Sequence, residues 1–186
     1  MKYSNQVMNH TCILAVLVIA ALQACANQPN SSSLSLKTMS DTTAKEGNPY
    51  YSKTDTTVLH VSDAEWKKVL SSDLYAVARE AHTERAFTGK FWDFEGIGLY
   101  RCACCGNALF RSDSKFASSC GWPSFFESIR PNSCSYKADN SYGMRRIEVN
   151  CGRCDAHLGH IFDDGPPPTY KRFCMNSISL DFEPNQ

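Results

Sequence analysis

The segment "CGRCDAHLGHIFDDG", residues 151–165, places Cys151, Cys154, His157 and His160 within ten positions. Two thiols and two imidazoles suggest a tetrahedral zinc site. A Cys₂His₂ finger, however, needs a hairpin and a helix of about 12 residues between its two pairs. Only Asp155 and Ala156 stand between Cys154 and His157. Four ligands from so short a run do not converge on one ion, so the cysteines need another partner and the histidines are left free. That partner lies in "YRCACCGNALF", where Cys102 and Cys105 form a second CxxC, with Cys105 46 positions before Cys151. Two CxxC turns brought together give a Cys₄ site that is closed to water, structural, and suited to one Zn²⁺. Gly106 and Gly152 supply the backbone freedom such turns need. Disulfides are the competing use of these thiols in an exported chain. The paired turns favour metal, and Cys104 is then a bystander. A zinc hydrolase is disfavoured, because four thiolates leave no open coordination position.

A second chemistry is nucleophilic. Outside the metal set and the N-terminal segment, Cys104, Cys120, Cys134 and Cys174 remain. Cys174 lies in "RFCMNSISLDF", the longest strand candidate. Alternation along one strand would put Arg172, Cys174 and Asn176 on a face with Ile178, Leu180 and Phe182. A cation, a thiol and an amide at alternate positions suit an activated nucleophile. A small cysteine buried in a core strand fits the same spacing.

The elements that must position these groups are short. Ser62 and Glu65 in "VSDAEW" predict a capped helix start, with Val61 and Trp66 as a hydrophobic staple; Trp66, Val69 and Leu70 form its apolar face. A second helix is predicted over Leu74–Glu80. Beyond "FTGKFWDF" the pattern changes to strands between turn residues: "GLYRC", "RIEV", "LGHIF" and "RFCMNSISLDF". The domain, residues 59–183, is expected to be mainly β with short helices at its start.

The N-terminus reads as export. Lys2 precedes the apolar run Ile13–Leu22, whose ten residues span only about 15 Å as a helix, too short for a bilayer and suited to a signal peptide over residues 1–24. "LQAC" resembles a lipoprotein box with Cys25 as the lipidated residue. Ala26 after it fits sorting to the outer membrane, so the expected location is the periplasm or cell envelope. Residues 25–58 are polar and aperiodic, a tether reaching roughly 30 Å. Lysine plus arginine and aspartate plus glutamate number 19 each, so net charge gives no reason to expect nucleic-acid binding. No internal repeat is present, and a monomer is expected.

The chain resembles the B-type peptide methionine-R-sulfoxide reductases. The resemblance rests on "TERAFTGKFWDF", "YRCACCGNALF", "CGWPSF", "GMRRIEV", "CGRCDAHLGHIFDDGPPPT" and "RFCMNS" in that order, between about Val61 and Phe182. It implies two antiparallel sheets, the β-tent, with zinc held by Cys102, Cys105, Cys151 and Cys154. It implies that Cys174 is the catalytic cysteine, Cys120 the resolving cysteine and Trp122 the ring that receives the substrate methyl group. His157, His160, Asp164, Arg172 and Asn176 match the family's polar active-site residues. Tyr170 stands where a glycine is usual and Phe173 where a tyrosine is common; Tyr170 is expected to reshape the loop before the catalytic strand.

That chemistry has physical requirements. A nearby cation draws a thiol towards ionisation, and attack on a sulfoxide needs a proton delivered to its oxygen. Positions three apart face opposite sides of a regular strand, so His157 and His160 both serve only if Gly159 bends the chain. A sulfenic acid on Cys174 would condense with a second thiol. Cys134, expected in an exposed, turn-rich loop in "PNSCSYK", competes with Cys120 for that role. The resemblance implies oxidised proteins as substrate and a thioredoxin-like reductant. A non-catalytic zinc module sensing oxidant through Cys174 and Cys120 is the rival from another class.

Overall fold

Capping decides where the first elements begin. Ser62 Oγ accepts from the Glu65 N–H at 3.3 Å and opens helix α1, Asp63–Val69. Ser71 Oγ accepts from the Leu74 N–H at 3.3 Å and opens α2, Ser72–Glu80, two residues ahead of the predicted start. The box predicted at Ser62 is half made, because the Glu65 carboxylate turns to Lys68 at 2.5 Å. Trp66 of α1 and Leu74, Val77 and Ala78 of α2 are buried, and Arg79 ties α2 to Asp63 at 2.8 Å.

The structure, a computed structural model, describes residues 45–185. The expected signal segment 1–24, Cys25 and the expected tether up to residue 44 lie outside the described residues. Among those described, no helix is long and apolar enough to cross a membrane.

Packing begins earlier than Leu59. Residues 45–58, read as tether from their composition, lie against the domain. Asn48 and Tyr51 are buried. Asn48 Nδ2 donates to the Cys104 carbonyl at 2.9 Å, and the Ser52 N–H to the Cys105 carbonyl at 3.0 Å. The buried Arg153 guanidinium donates to the Tyr50 carbonyl at 3.0 Å and to the Asp55 carboxylate at 2.8 Å. The segment docks largely by satisfying polar groups rather than by presenting an apolar stripe, so periodicity could not reveal it.

Nine strands follow: β1 Gly98–Cys102, β2 Ala108–Arg111, β3 Lys115–Phe116, β4 Ser124–Phe125, β5 Cys134–Asp139, β6 Arg146–Cys151, β7 His157–Phe162, β8 Arg172–Met175 and β9 Leu180–Pro184. They form two antiparallel sheets, as expected: β2-β1-β9, and β3-β4-β8-β7-β6-β5. The core lies between them. Phe110 of β2 stacks on Phe125 of β4 at 4.4 Å, and Tyr100 of β1 meets the same ring edge-on at 4.9 Å. Phe173 of β8 packs on Phe110 at 5.5 Å.

The single strand expected over residues 172–182 is two strands in different sheets. A 3₁₀ turn, Ser177–Ser179, separates them. The Glu84 carboxylate holds that turn, accepting from the Ser177 N–H at 2.6 Å and the Ile178 N–H at 2.9 Å. Leu180 and Phe182 therefore pair with Cys102 and Tyr100 of β1 instead of extending the Cys174 face.

Candidate active site and metal centre

Strand register builds the first part of the site. Ser124 of β4, Cys174 of β8, His160 of β7 and Glu148 of β6 are successive cross-strand partners. Directly opposed residues project to the same side, so these four make a polar row across the large sheet. Phe125, Phe173 and Ile161 form the neighbouring row on the opposite side, towards the core.

His157 joins the polar face through a bulge. The pairing of β6 with β7 slips between Val149 and Asn150, so that Val149 opposes Gly159 and Asn150 opposes His157. The extra residue reverses the alternation. Gly159 sits at φ 156°, and a Cβ there would lie 2.1 Å from the Cys174 carbonyl oxygen. The condition set by the sequence is met: the two imidazoles are 5.5 Å apart between centroids.

Each histidine has its own carboxylate. His157 Nδ1 is 2.6 Å from Glu148 Oε1, and His160 Nε2 is 2.8 Å from Asp139 Oδ2. Asp139 also takes Arg146 at 2.6 Å. Hydrogen bonds from Ser141, His160 and Arg146 hold the Asp139 carboxyl far below the usual carboxylate range. Burial draws His157 down, against the pull of Glu148, and its Nε2 is buried without a partner. His157 is therefore a buried neighbour of the site. His160 is the histidine that lines the cleft.

That cleft, about 110 Å³, is lined by Trp122, His160, Cys174 and Asn176 together with Thr83, Arg146 and Phe162. The Trp122 indole N–H donates to the Glu84 carbonyl at 3.1 Å. Asn176 accepts from the Glu84 N–H at 3.0 Å and donates to the Leu158 carbonyl at 3.1 Å. Glu84 thus fixes Trp122, Asn176 and the turn after β8 at once. Sequence reasoning singled out neither Glu84 nor Thr83 and Arg146, although all three lie within the quoted motifs "TERAFTG" and "GMRRIEV". Asp164 is largely exposed, and its carboxylate takes the Arg172 guanidinium in a two-point contact at 2.8 Å. Arg172 also lies over the Phe162 ring at 4.4 Å.

The loop 117–123 delivers Cys120 to Cys174, with their Sγ atoms 3.5 Å apart. Ser118 Oγ stands 3.0 Å from Cys120 Sγ. Gly121 at φ 85° has no room for a Cβ, because the Phe87 backbone nitrogen would lie 2.8 Å away. The expectation that cations bring Cys174 towards ionisation needs correction. Burial and the neighbouring Cys120 push it up to about 12, and the opposing pull of Arg172 is outweighed. Burial also acts against ionisation of Cys120, but hydrogen bonds from Ser118 and Ser124 outweigh it and bring that thiol below its usual value.

Cys134 is not in an exposed loop. It is 5% exposed, opens β5 and pairs with Cys151. Burial pushes its thiol well up. Three inter-strand steps separate β5 from β8, about 14 Å, which removes it as a competitor for Cys174.

Four of the five remaining described thiols, all but Cys104, meet at the far ends of β1 and β6. Cys102, Cys105, Cys151 and Cys154 are all buried, with every sulfur within 4.8 Å of the others. Cys102–Cys154 and Cys105–Cys151 are 3.7 and 3.6 Å apart. Zn–S bonds of about 2.3 Å in a tetrahedron demand sulfur edges of about 3.8 Å. Those two edges match that demand, and the set fits a structural metal. Each CxxC turn closes by a backbone bond, Gly106 N–H to Cys102 O at 2.8 Å and Asp155 N–H to Cys151 O at 2.9 Å. The left-handed residues are Gly106 (φ 78°) and Asp155 (φ 59°). Gly152 serves differently from the expectation: a Cβ on it would meet the Asn132 carbonyl oxygen at 2.1 Å.

Tyr170 sits at φ 57° with its side chain exposed. It adopts the conformation that a glycine takes freely.

Residues 70–184 match the family described as the SelR domain. A protein of Herminiimonas arsenicoxydans named peptide methionine sulfoxide reductase MsrB is 52% identical over 122 residues, 66% of this chain and 89% of that protein. A protein of the same name from Synechococcus sp. (strain RCC307) is 50% identical over 125 residues, 67% of this chain and 92% of the other. One from Methanosarcina barkeri is 52% identical over 122 residues, 66% and 86% of the two chains. The chain belongs to the MsrB family of peptide methionine sulfoxide reductases.

Proposed function

We propose that this chain reduces the R epimer of methionine sulfoxide in proteins and peptides to methionine, with Cys174 as nucleophile and Cys120 as resolving thiol. The observation that carries the reading is the 3.5 Å between the two sulfurs, beside a cleft lined by Trp122, His160 and Asn176. Family membership supports the reaction class, and the resemblance supports the R epimer.

The substrate methyl group rests on the Trp122 ring while Cys174 Sγ attacks the sulfoxide sulfur. Charge grows on the sulfoxide oxygen, which needs a proton at that moment. His160 delivers it, since it opposes Cys174 in the sheet and pairs with an Asp139 that stays anionic. The proton lost by the Cys174 thiol passes through the same imidazole, so thiol plus sulfoxide gives methionine plus sulfenic acid with no external proton. Asn176 and the Arg172–Asp164 pair orient the strand end around Cys174. Cys120, the more acidic thiol of the two, then attacks Cys174 Sγ; a disulfide forms and water leaves. Holding the second thiol in place makes this step effectively unimolecular.

The same reading makes zinc the ion held by the four buried cysteines, where its contribution is to folding. A thioredoxin-like dithiol protein re-reduces the disulfide. The N-terminal pattern supports export, acylation of Cys25 and repair of oxidised envelope proteins by a tethered monomer. Turnover of the separated R and S epimers of a dabsylated methionine sulfoxide with dithiothreitol tests the function. Reduction of the R epimer alone is expected. An oxidant sensor would show reversible disulfide formation and no turnover.

A further inference from the structure

The cycle proposed above brings two proteins to one site, and exposed apolar residues lie on two sides of it. One group belongs to the hairpin of β5 and β6: Tyr142 and Met144 are exposed, and the neighbouring Arg146 lines the substrate cleft. The other lies beside the Cys120 loop. There, residues 92–97 and 112–118 enclose a groove of about 540 Å³. Trp92, Phe94, Ile97 and Phe116 supply its apolar lining, and it reaches Ser118, whose Oγ is 3.0 Å from Cys120 Sγ. Ile97 is 72% exposed and Phe87 54% exposed. Phe87 stands edge-on to Trp92 at 5.4 Å, its ring lies against Gly121 and its N–H donates to the Gly121 carbonyl at 2.8 Å, so the apolar surface continues onto the loop that carries Cys120. The groove also carries three carboxylates, Asp93, Glu95 and Asp113, against one ammonium, Lys115.

We infer that this groove is the docking surface of the dithiol protein that re-reduces the Cys120–Cys174 disulfide, an inference that rests on the reductase reading. The two sulfurs of that disulfide are not equally placed. Cys174 lines the substrate cleft, whereas Cys120 lies against Ser118 at the end of the groove. The reductant's thiolate attacks Cys120 Sγ, the bond to Cys174 breaks, and Cys174 leaves as a thiolate that takes a proton. The reductant's second thiol then attacks its own half of the mixed disulfide and frees Cys120. Two electrons and two protons have passed to this chain, and the reductant departs as a disulfide. Substrate and reductant approach different sulfurs, so neither must cross the other's surface. A groove with an apolar lining and a surplus of carboxylates suits an apolar segment flanked by a cationic side chain.

The test uses the full chain and thioredoxin as the probe, kept reduced by its own reductase. Ile97→Glu breaks the apolar lining, and Asp93→Lys with Glu95→Lys inverts the rim. Initial rates on an oxidised peptide are measured against thioredoxin concentration, and separately with dithiothreitol. The expected result is a KM for thioredoxin raised about tenfold in both variants, with dithiothreitol-driven turnover within about twofold of the parent. An unchanged KM for thioredoxin overturns the inference while leaving the reductase reading intact. An equal loss with dithiothreitol overturns it by assigning these residues to folding or chemistry, and a raised KM for the peptide by assigning the groove to substrate. A parent chain that reduces sulfoxide with neither reductant overturns the reductase reading itself.

Discussion

His157 and His160 stand on one side of β7 although three positions separate them, with their ring centroids 5.5 Å apart. The bulge opposite Asn150 and the close approach of Gly159 to the Cys174 carbonyl produce this arrangement together. One strand therefore presents a cleft histidine and a buried one, each with its own carboxylate, beside the nucleophile.

Gly159→Ala tests that geometry. The new Cβ would fall 2.1 Å from backbone oxygen, so β7 and β8 must separate. A loss of about 1–3 kcal/mol in stability is expected, with kcat reduced at least about tenfold. Thermal melting and dithiothreitol-driven turnover measure the two effects.

The Cys174 thiol is predicted to react slowly with iodoacetamide at neutral pH, because burial and Cys120 push it up to about 12. A raised thiol pKa leaves the protonated form dominant, so the alkylation rate should climb throughout the alkaline range. Cys120→Ser removes the charge and hydrogen bond that raise it, and the profile should move to lower pH. Arg172→Met removes the opposing pull and should move it higher. Identical profiles in all three proteins would contradict the account.

Replacing Cys105 with serine opens the four-sulfur set. Metal content should fall from one zinc per chain to near none, and the domain should lose its cooperative melting transition. Cys104→Ser and Cys134→Ser leave the four ligands in place and should retain the metal.

Glu84→Ala removes a carboxylate that accepts two backbone N–H groups at 2.6 and 2.9 Å. Hydrogen bonds to a charged group are worth about 1.5–3 kcal/mol each, so a loss of at least about 2 kcal/mol is expected in denaturant titration. The same change loosens the turn that directly follows Asn176, and kcat should fall with it.

What could be read from the sequence was local. The CxxC pairs, the Ser62 cap and the strand at Gly98–Cys102 depend on neighbours within a few positions, and the structure reproduces them. The break after Met175 depends on Glu84, 93 positions before Ser177, so alternation ran on through a turn it could not detect. The docking of residues 45–58 depends on Arg153 and on carbonyls of the first CxxC turn. Cys134 misled because Pro131, Asn132 and Ser133 resemble an open loop, whereas the strand that follows pairs Cys134 with Cys151 of the four-sulfur cluster. The upward push on Cys174 is a consequence of burial and of a thiol 54 positions away, neither of which is written in "RFCMNS".

The central claim is that one sulfoxide is reduced at Cys174 and leaves a bridge to Cys120. Reduced protein, freed of dithiothreitol, is mixed with one equivalent of an R-sulfoxide peptide and mapped under non-reducing conditions. The account predicts one methionine peptide formed per Cys120–Cys174 bridge, and neither product from the S epimer. Methionine formed without that bridge, or a bridge joining Cys174 to Cys134, would contradict it.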